Sequence, residues 1–420
     1  MQCGFACLEA GSVRSKNTTN IIMKNIMDIF ISSVAYWLVG YALAHGNGSS
    51  VVGLTYWAGI GLPADKRAHW FFHCIFAATA ATIISGAVCE RCNYVAYIAY
   101  SAIISGVVYP LATHWVWDDE GWLTNLGYED YSGDGPVHLL AGVCSFFGAL
   151  FIGPRIGKFG FKKNHQYGKE ELVGHSVPLV GIGGLILIAG FLAFNAAALG
   201  QMTKADSEDT IAQVIINTIL GGSGASISML AISKLGLIGQ PTWSFAHTLN
   251  SGLSGMVSVC AAANLFPMWG SMLSGIFMAP IYLALHNLML IWRIDDPLDT
   301  VAVHFGGGLW GLISASFFAE GGIVYGANYI SGMRLVYRMI GAVAIIAWAS
   351  VGSCILFGTL SICGKLRVSE EEEIKGLDIA MHNEPGYPIE GWTQLPILSS
   401  NDFEDEDLLT KQTTWKIEKL

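Results

Sequence analysis

Apolar stretches and short polar breaks alternate along almost the whole chain. Runs long enough to cross a bilayer fall at about 20–46, 69–89, 93–117, 136–153, 173–199, 209–234, 242–265, 268–291, 300–318 and 335–363. Each approaches the roughly 20 residues that an α-helix needs to cross about 30 Å of hydrocarbon. The opening "MQCGFACLEAGSVRSKN" is apolar for only about a dozen residues before Arg14 and Lys16, too short to span. It lacks the basic segment that precedes a signal peptide's apolar core, and it reads as the inner half of a first helix whose outer half lies upstream. The pattern predicts an all-α polytopic membrane protein with about 11 transmembrane helices, the first one partial, in a membrane domain over residues 1–364. From Lys365 the sequence turns polar and acidic ("SEEEEIKGLDIAMHNEPGYPIEGW"), which predicts a soluble tail over 365–420, docked near its start and disordered toward Leu420.

Composition agrees. Charged residues make up 13% of the chain and apolar ones 53%, against roughly 25% charged in soluble proteins. The 50 glycines suit helices that approach closely inside a membrane; "GGSGAS" at 221–226 reads as helix packing, not as a phosphate cradle. The net charge of -10, carried mostly by the tail and outer loops, argues against a nucleic-acid partner. Cys89 and Cys92 form C-x-x-C but close an apolar run and have no second pair, which argues against a metal or redox site. With no Walker loop and no nucleophile elbow, the expectation is a protein that is not an enzyme and holds no cofactor.

Lysine and arginine bias sets the expected orientation. One set of alternate breaks carries Arg14, Lys16, Arg91, Arg155, Lys158, Lys162, Lys163, Lys169, Lys234, Arg293, Lys365 and Arg367. The other carries Lys66, Arg67, Lys204 and Arg334, with the acidic "WDDEGWLTNLGYED". The first set and the tail are therefore expected in the cytoplasm and the N-terminus outside, in a multi-pass plasma-membrane protein. Asn47, in the sequon Asn47-Gly48-Ser49, falls in an outer loop and is a glycosylation candidate.

Two apolar runs contain a histidine in the same setting, V-H-x-x-[A/G]-G: "VHLLAG" with His138 and "VHFGGG" with His304. An ionisable side chain inside a membrane is costly and marks a functional site. His138 opens the fifth span and His304 the tenth, so each belongs to the fifth helix of a five-helix half. Five is odd, so the second half enters the membrane inverted, and such repeats place their site near the midplane between the halves. The two histidines are expected to meet there. A lone histidine in an apolar helix is more simply a packed residue, and that is the expectation for His73, His114, His247 and His286.

The segments "GFACLEAGSVRSKNTTN", "GAVCERC", "DYSGDGPVHLLAG", "FNAAALG", "IDDPLDTVAVHFGGGLWG" and "KLRVSEEEEIKGLDIAMH" resemble, in order, motifs of the ammonium transporter (Amt/Mep/Rh) superfamily, on its animal Amt-type side. The resemblance extends to about residue 390 and implies eleven helices, two inverted five-helix repeats plus a last helix, a homotrimer, and one pore per protomer. It also implies roles: His138 and His304 as the twin histidines lining the pore, and Phe76 and Phe194 as the stacked outer gate. Trp117, with Phe76, matches the external ammonium-recruitment site, and Asp130 the acidic residue beneath it. Two positions depart from the family pattern. Ala198 stands where a hydroxyl is common in the recruitment site, and Phe191 where tryptophan is common.

The residue chemistry fits ammonium. Aromatic faces attract a cation by ~0.5–2 kcal/mol each, but an apolar pore excludes charge. Ammonium, unlike potassium, can shed a proton, and imidazole readily takes or gives one near neutral pH. Plainer readings remain for Trp117 as an interfacial-belt residue and for Asp130 as a helix cap. Two other functions stay open: an Rh-like electroneutral channel for ammonia or carbon dioxide, and an ammonium sensor signalling through its tail.

Overall fold

The structure, a computed structural model, describes residues 1–160, 172–200 and 207–387. Lys162, Lys163, Lys169, Lys204 and the tail beyond residue 387, to which the sequence assigns orientation or disorder, lie outside the described residues. Among the described residues the chain is helical throughout, with isolated β-bridges only, Gly48 to Gly53 and Cys92 to Arg367.

Among the described residues the helices of the bundle follow in order. They are α1 (Gln2–Ser12), α2 (Ser15–His45), α3 (Ala64–Val88), α4 (Tyr94–Leu126), α5 (Asp134–Ile152), α6 (Val177–Ala197) and α7 (Ser207–Lys234). Then come α8 (Phe245–Val257), α9 (Met268–Ile291), α10 (Val301–Tyr325) and α11 (Tyr329–Ile362). Among the described residues nine of these, all but α1 and α8, are long and apolar enough to cross a membrane. Helix α8 has 13 residues and gives way to a short 3-10 turn, Cys260–Ala262. The run expected at 242–265 is thus only partly α-helix. The outward faces are apolar, with Leu185, Val343 and Ile355 each about two-thirds exposed, as a surface meeting lipid chains requires.

Small residues decide which helices touch. In α7, Gly221 comes so close to α8 that a Cβ on it would stand 2.6 Å from the Gly255 carbonyl oxygen, and Gly224 lies against the backbone of α9. The "GGSGAS" segment is a helix-packing surface. Gly4 and Gly11 of α1 seat that helix on α6, against Leu187 and Val180.

At one end of the bundle the basic residues are tied down by acids. Arg155 donates to both carboxylate oxygens of Asp295, at 2.7 and 3.0 Å, and reaches Glu90 at 3.1 Å. Glu90 also accepts from Arg14, through its backbone N–H at 2.6 Å and its side chain at 3.1 Å. Arg91 is fully buried and donates to the carbonyls of Gly153, Cys89 and Asp295. Burial alone would push the Glu90 carboxyl up, but the Arg155 and Arg14 guanidiniums outweigh it and pull it down to about 2. Asp295 is likewise held below the usual carboxylate range, burial being outweighed by Arg91 and Arg155.

The start of the tail docks on this end. Arg367 donates to the carbonyls of Ile152 and Pro154 and to Glu373, while the Val368 N–H donates to the Arg91 carbonyl. Further on, the Leu377 N–H donates to Asn17 Oδ1 and the Asn20 N–H to Asp378 Oδ1, both at 2.9 Å. Tail residues 366–378 are therefore bonded to the first turns of α2, to the turn after α3 and to the end of α5.

Candidate functional site: a paired-histidine pore

His138 and His304 each sit in a π-helical turn that opens a helix, Asp134–Leu139 in α5 and Val301–Phe305 in α10. The two turns are built alike. Eight residues before each histidine stands an aspartate that caps the turn. Asp130 accepts from the backbone N–H groups of Gly133, Asp134 and Gly135, and Asp296 from the Val301 N–H and the Thr300 hydroxyl. Five residues before each histidine the backbone is left-handed, at Gly133 (φ 98°) and Asp299 (φ 58°). Such a φ suits glycine; an aspartate tolerates it through local hydrogen bonds. The Asp299 carboxylate is held instead by distant partners, accepting from Tyr282 and His286 at 2.6 Å and from Asn250 at 3.3 Å.

The last glycine of each V-H-x-x-[A/G]-G motif brings the helices together. A Cβ on Gly142 would lie 2.6 Å from Phe305 Cα, and one on Gly308 would lie 2.7 Å from the Leu139 N. Each glycine thus presses on the residue following the other half's histidine. The result is a direct contact between two buried rings: His138 Nδ1 to His304 Nδ1 at 3.1 Å, with the imidazoles 10° from parallel.

A file of rings leads to this pair. Phe76 and Phe194 stack face to face, centroids 3.9 Å apart and 10° from parallel. Trp117 meets Phe76 edge-on at 5.9 Å and donates its indole N–H to the Asp130 carbonyl at 2.7 Å. Phe194 lies 5.8 Å from His138, against which Phe191 stacks at 5.7 Å. Beyond His304 is an apolar cavity of about 30 Å³ whose walls include Phe5, Leu8, Ile83, Leu187 and Val303. One water needs roughly 10–15 Å³ of such space, so a molecule of ammonia's size fits.

Both carboxylate oxygens of Asp130 are occupied, the second also accepting from Tyr128 at 3.2 Å; its geometry is that of a cap. Ala198 follows the last residue of α6, four positions beyond Phe194. Asn47 is exposed in the loop after α2. His114 is packed as expected, bonded to the carbonyls of Ala44 and Ser49, and His247 and His286 belong to the network around Asp299.

The apolar pattern concealed several residues. Asp296 could have been found from its spacing to His304, which equals that of Asp130 to His138. Cys260, whose Sγ is 3.8 Å from His138 Nε2, carries no sequence signal. Three ionisable side chains, Glu9, Lys24 and Asp28, lie fully buried in α1 and α2. Glu9 accepts from Ser85 and Asn25 and borders the cavity below His304, and Asp28 accepts from Tyr97 and Ser101.

The model of the Ammonium Transporter Family matches residues 1–387. The chain is 43% identical over 417 residues to putative ammonium transporter 1 of Caenorhabditis elegans, covering 93% of this chain and 77% of that protein. Its fold matches a solved Sensor Amt Protein with a TM-score of 0.81 at 28% identity, covering 91% of this chain and 94% of the other. It also matches Candida albicans Mep2 with a TM-score of 0.75 at 25% identity, covering 88% and 83%. A helical bundle with paired histidine turns, matched over nearly its whole length, places this chain in the ammonium transporter family.

Proposed function

We propose that the protein moves ammonium across the plasma membrane by separating it into ammonia and a proton. Trp117 and Phe76 gather the cation at the outer mouth, beside the C-terminal end of α6 where Ala198 lies. The closed Phe76–Phe194 stack admits no hydrated ion, and a bare cation pays several kcal/mol or more to enter such a medium. The proton leaves, ammonia crosses to the cavity beyond His304, and the histidine pair passes the proton in parallel. The observation that carries this reading is the 3.1 Å Nδ1–Nδ1 contact, in line between the ring stack and the apolar cavity. The protein acts as a homotrimer with one pore per protomer, its tail in the cytoplasm and Asn47 outside as a glycan acceptor.

The test is current and uptake recorded together in proteoliposomes after an ammonium jump. Charge and ammonium should enter in fixed proportion. Uptake without current would replace this reading with an electroneutral gas channel.

The outer site has its own test. Trp117→Leu removes a ring worth ~0.5–2 kcal/mol to a cation and should raise the half-saturating ammonium concentration about 2- to 30-fold, with a smaller effect on maximal flux. Trp117→Phe, which keeps a ring, should fall between. Unchanged half-saturation in both variants would make Trp117 a membrane-belt residue.

A further inference from the structure

Close to the mouth is a second group of histidines that the pore does not use. His45 ends α2, while His69 and His73 stand one turn apart on the first turns of α3. Their rings form a triangle, with centroids 4.6 Å apart for His45 and His69, 4.2 Å for His45 and His73, and 4.3 Å for His69 and His73. One nitrogen from each ring lies within 4.8 Å of those of the other two.

Two of these rings have an unmet need. His45 and His73 are both more than nine-tenths buried, and His45 Nε2 and His73 Nδ1 have no hydrogen-bond partner among the described residues. A buried polar atom left unpaired is costly, and three imidazoles side by side are a poor core when leucine would fill the space. His69 differs, being exposed, and its Nδ1 lies 3.2 Å from the Tyr41 hydroxyl. An outer hydrogen bond of that kind fixes the orientation of a metal-ligating imidazole.

We propose that His45, His69 and His73 form a binding site for a divalent transition metal of the zinc class, with a fourth position open to solvent beside exposed His69. Imidazole nitrogens suit zinc, copper and nickel, and magnesium or calcium would prefer oxygen. A tetrahedral zinc holds its nitrogens at about 2.0–2.1 Å, hence about 3.4 Å from one another. The nitrogens, within 4.8 Å of one another, reach this spacing by closing about 1.4 Å at most.

The location gives the site a consequence. His73 packs 5.5 Å from Trp117 and 6.1 Å from Phe76, so a dication here stands beside the rings proposed to collect ammonium. Bound metal should lower flux several-fold by repelling the incoming cation.

Zinc is the probe. The purified full chain should retain one zinc per protomer in equilibrium dialysis, and cobalt in its place should give the visible absorption of a tetrahedral site. His69→Ala, at an exposed position that leaves the pore intact, should lose both signals while keeping zinc-free transport. Zinc added on the Trp117 side should inhibit uptake by the unaltered protein, a chelator should restore it, and His69→Ala should be insensitive. No retained zinc, or equal retention by His69→Ala and His45→Ala, overturns the site. The binding result is independent of the pore reading. Retained zinc without inhibition overturns only the effect on flux.

Discussion

His138→Ala and His304→Ala should each abolish ammonium-driven current in proteoliposomes while the protein keeps its oligomeric state and elution profile. The rings touch each other and little else that is polar; His138 is otherwise held by Phe191, Phe194 and the weak Cys260 contact. Alanine at either position leaves a gap in a fold whose caps, Asp130 and Asp296, are untouched, so the helices persist. What disappears is the direct link between the halves through which a proton is proposed to pass. Positioned acid–base groups contribute roughly 10²- to 10⁴-fold to proton transfers, and a loss of that size removes the current. A glutamate at one position supplies a fixed charge, and that variant should conduct but admit potassium. Full current in both alanine variants, with selectivity unchanged, would remove the histidine pair from the transport step.

Asp295→Ala should be the most destabilising single change at the other end of the molecule. Asp295 is nearly fully buried and accepts three hydrogen bonds from Arg155, two from the guanidinium and one from the backbone at 2.9 Å. Truncating one partner of a buried pair leaves the other charge unpaired and costs about 3–5 kcal/mol. Melting in detergent should show this as a large fall in midpoint, with Asp295→Asn intermediate because its oxygen still accepts. Acid should act on the same knot. The Glu90 carboxyl is pulled from an ordinary 4.5 to about 2, so the unfolded chain binds the proton first. Stability from this group is complete above the ordinary value and is lost as pH falls through the folded one. Glu90→Gln should therefore flatten the melting curve between pH 4.5 and 2. A change below about 1 kcal/mol for Asp295→Ala, in the range of exposed pairs, would show that water reaches this knot.

The meeting of His138 and His304 was legible because the chain states it twice, in the same motif and at the same place in each five-helix half. The stacked phenylalanines were legible only through resemblance, since a phenylalanine in an apolar run has no local signal of what it faces. The polar residues of α1 and α2 escaped for a different reason. Counting apolar positions treats Glu9, Lys24 and Asp28 as breaks in a stripe, and only tertiary packing reveals that Glu9 meets Ser85 of α3, Asp28 meets Tyr97 and Ser101 of α4, and Lys24 the Cys92 carbonyl between them. The His45, His69 and His73 triangle depends on the loop between α2 and α3 closing, which no periodicity encodes. Helix α8 was overestimated because "NSGLSGMVSVCAAAN" is apolar enough to span yet rich in glycine and serine. Its end unwinds so that the Ala261 N–H reaches Asp134 at 2.7 Å.

The Nδ1–Nδ1 contact also gives the pore a polarity that its symmetric construction lacks. One hydrogen bond holds one proton, so when both rings are neutral one Nδ1 donates and the other accepts. A neutral imidazole carries a single N–H. The donating ring therefore presents a bare Nε2 and the accepting ring presents Nε2–H. The two halves, alike in cap, turn and glycine, are chemically unlike at every instant: one offers a lone pair, the other a proton. A proton moving along the pair inverts both ends, after which the pair faces the wrong way for another proton from the same side. In the proposed relay each passage must therefore be followed by a reset, making the pair a two-position ratchet that turns over only as the rings recover their starting tautomers.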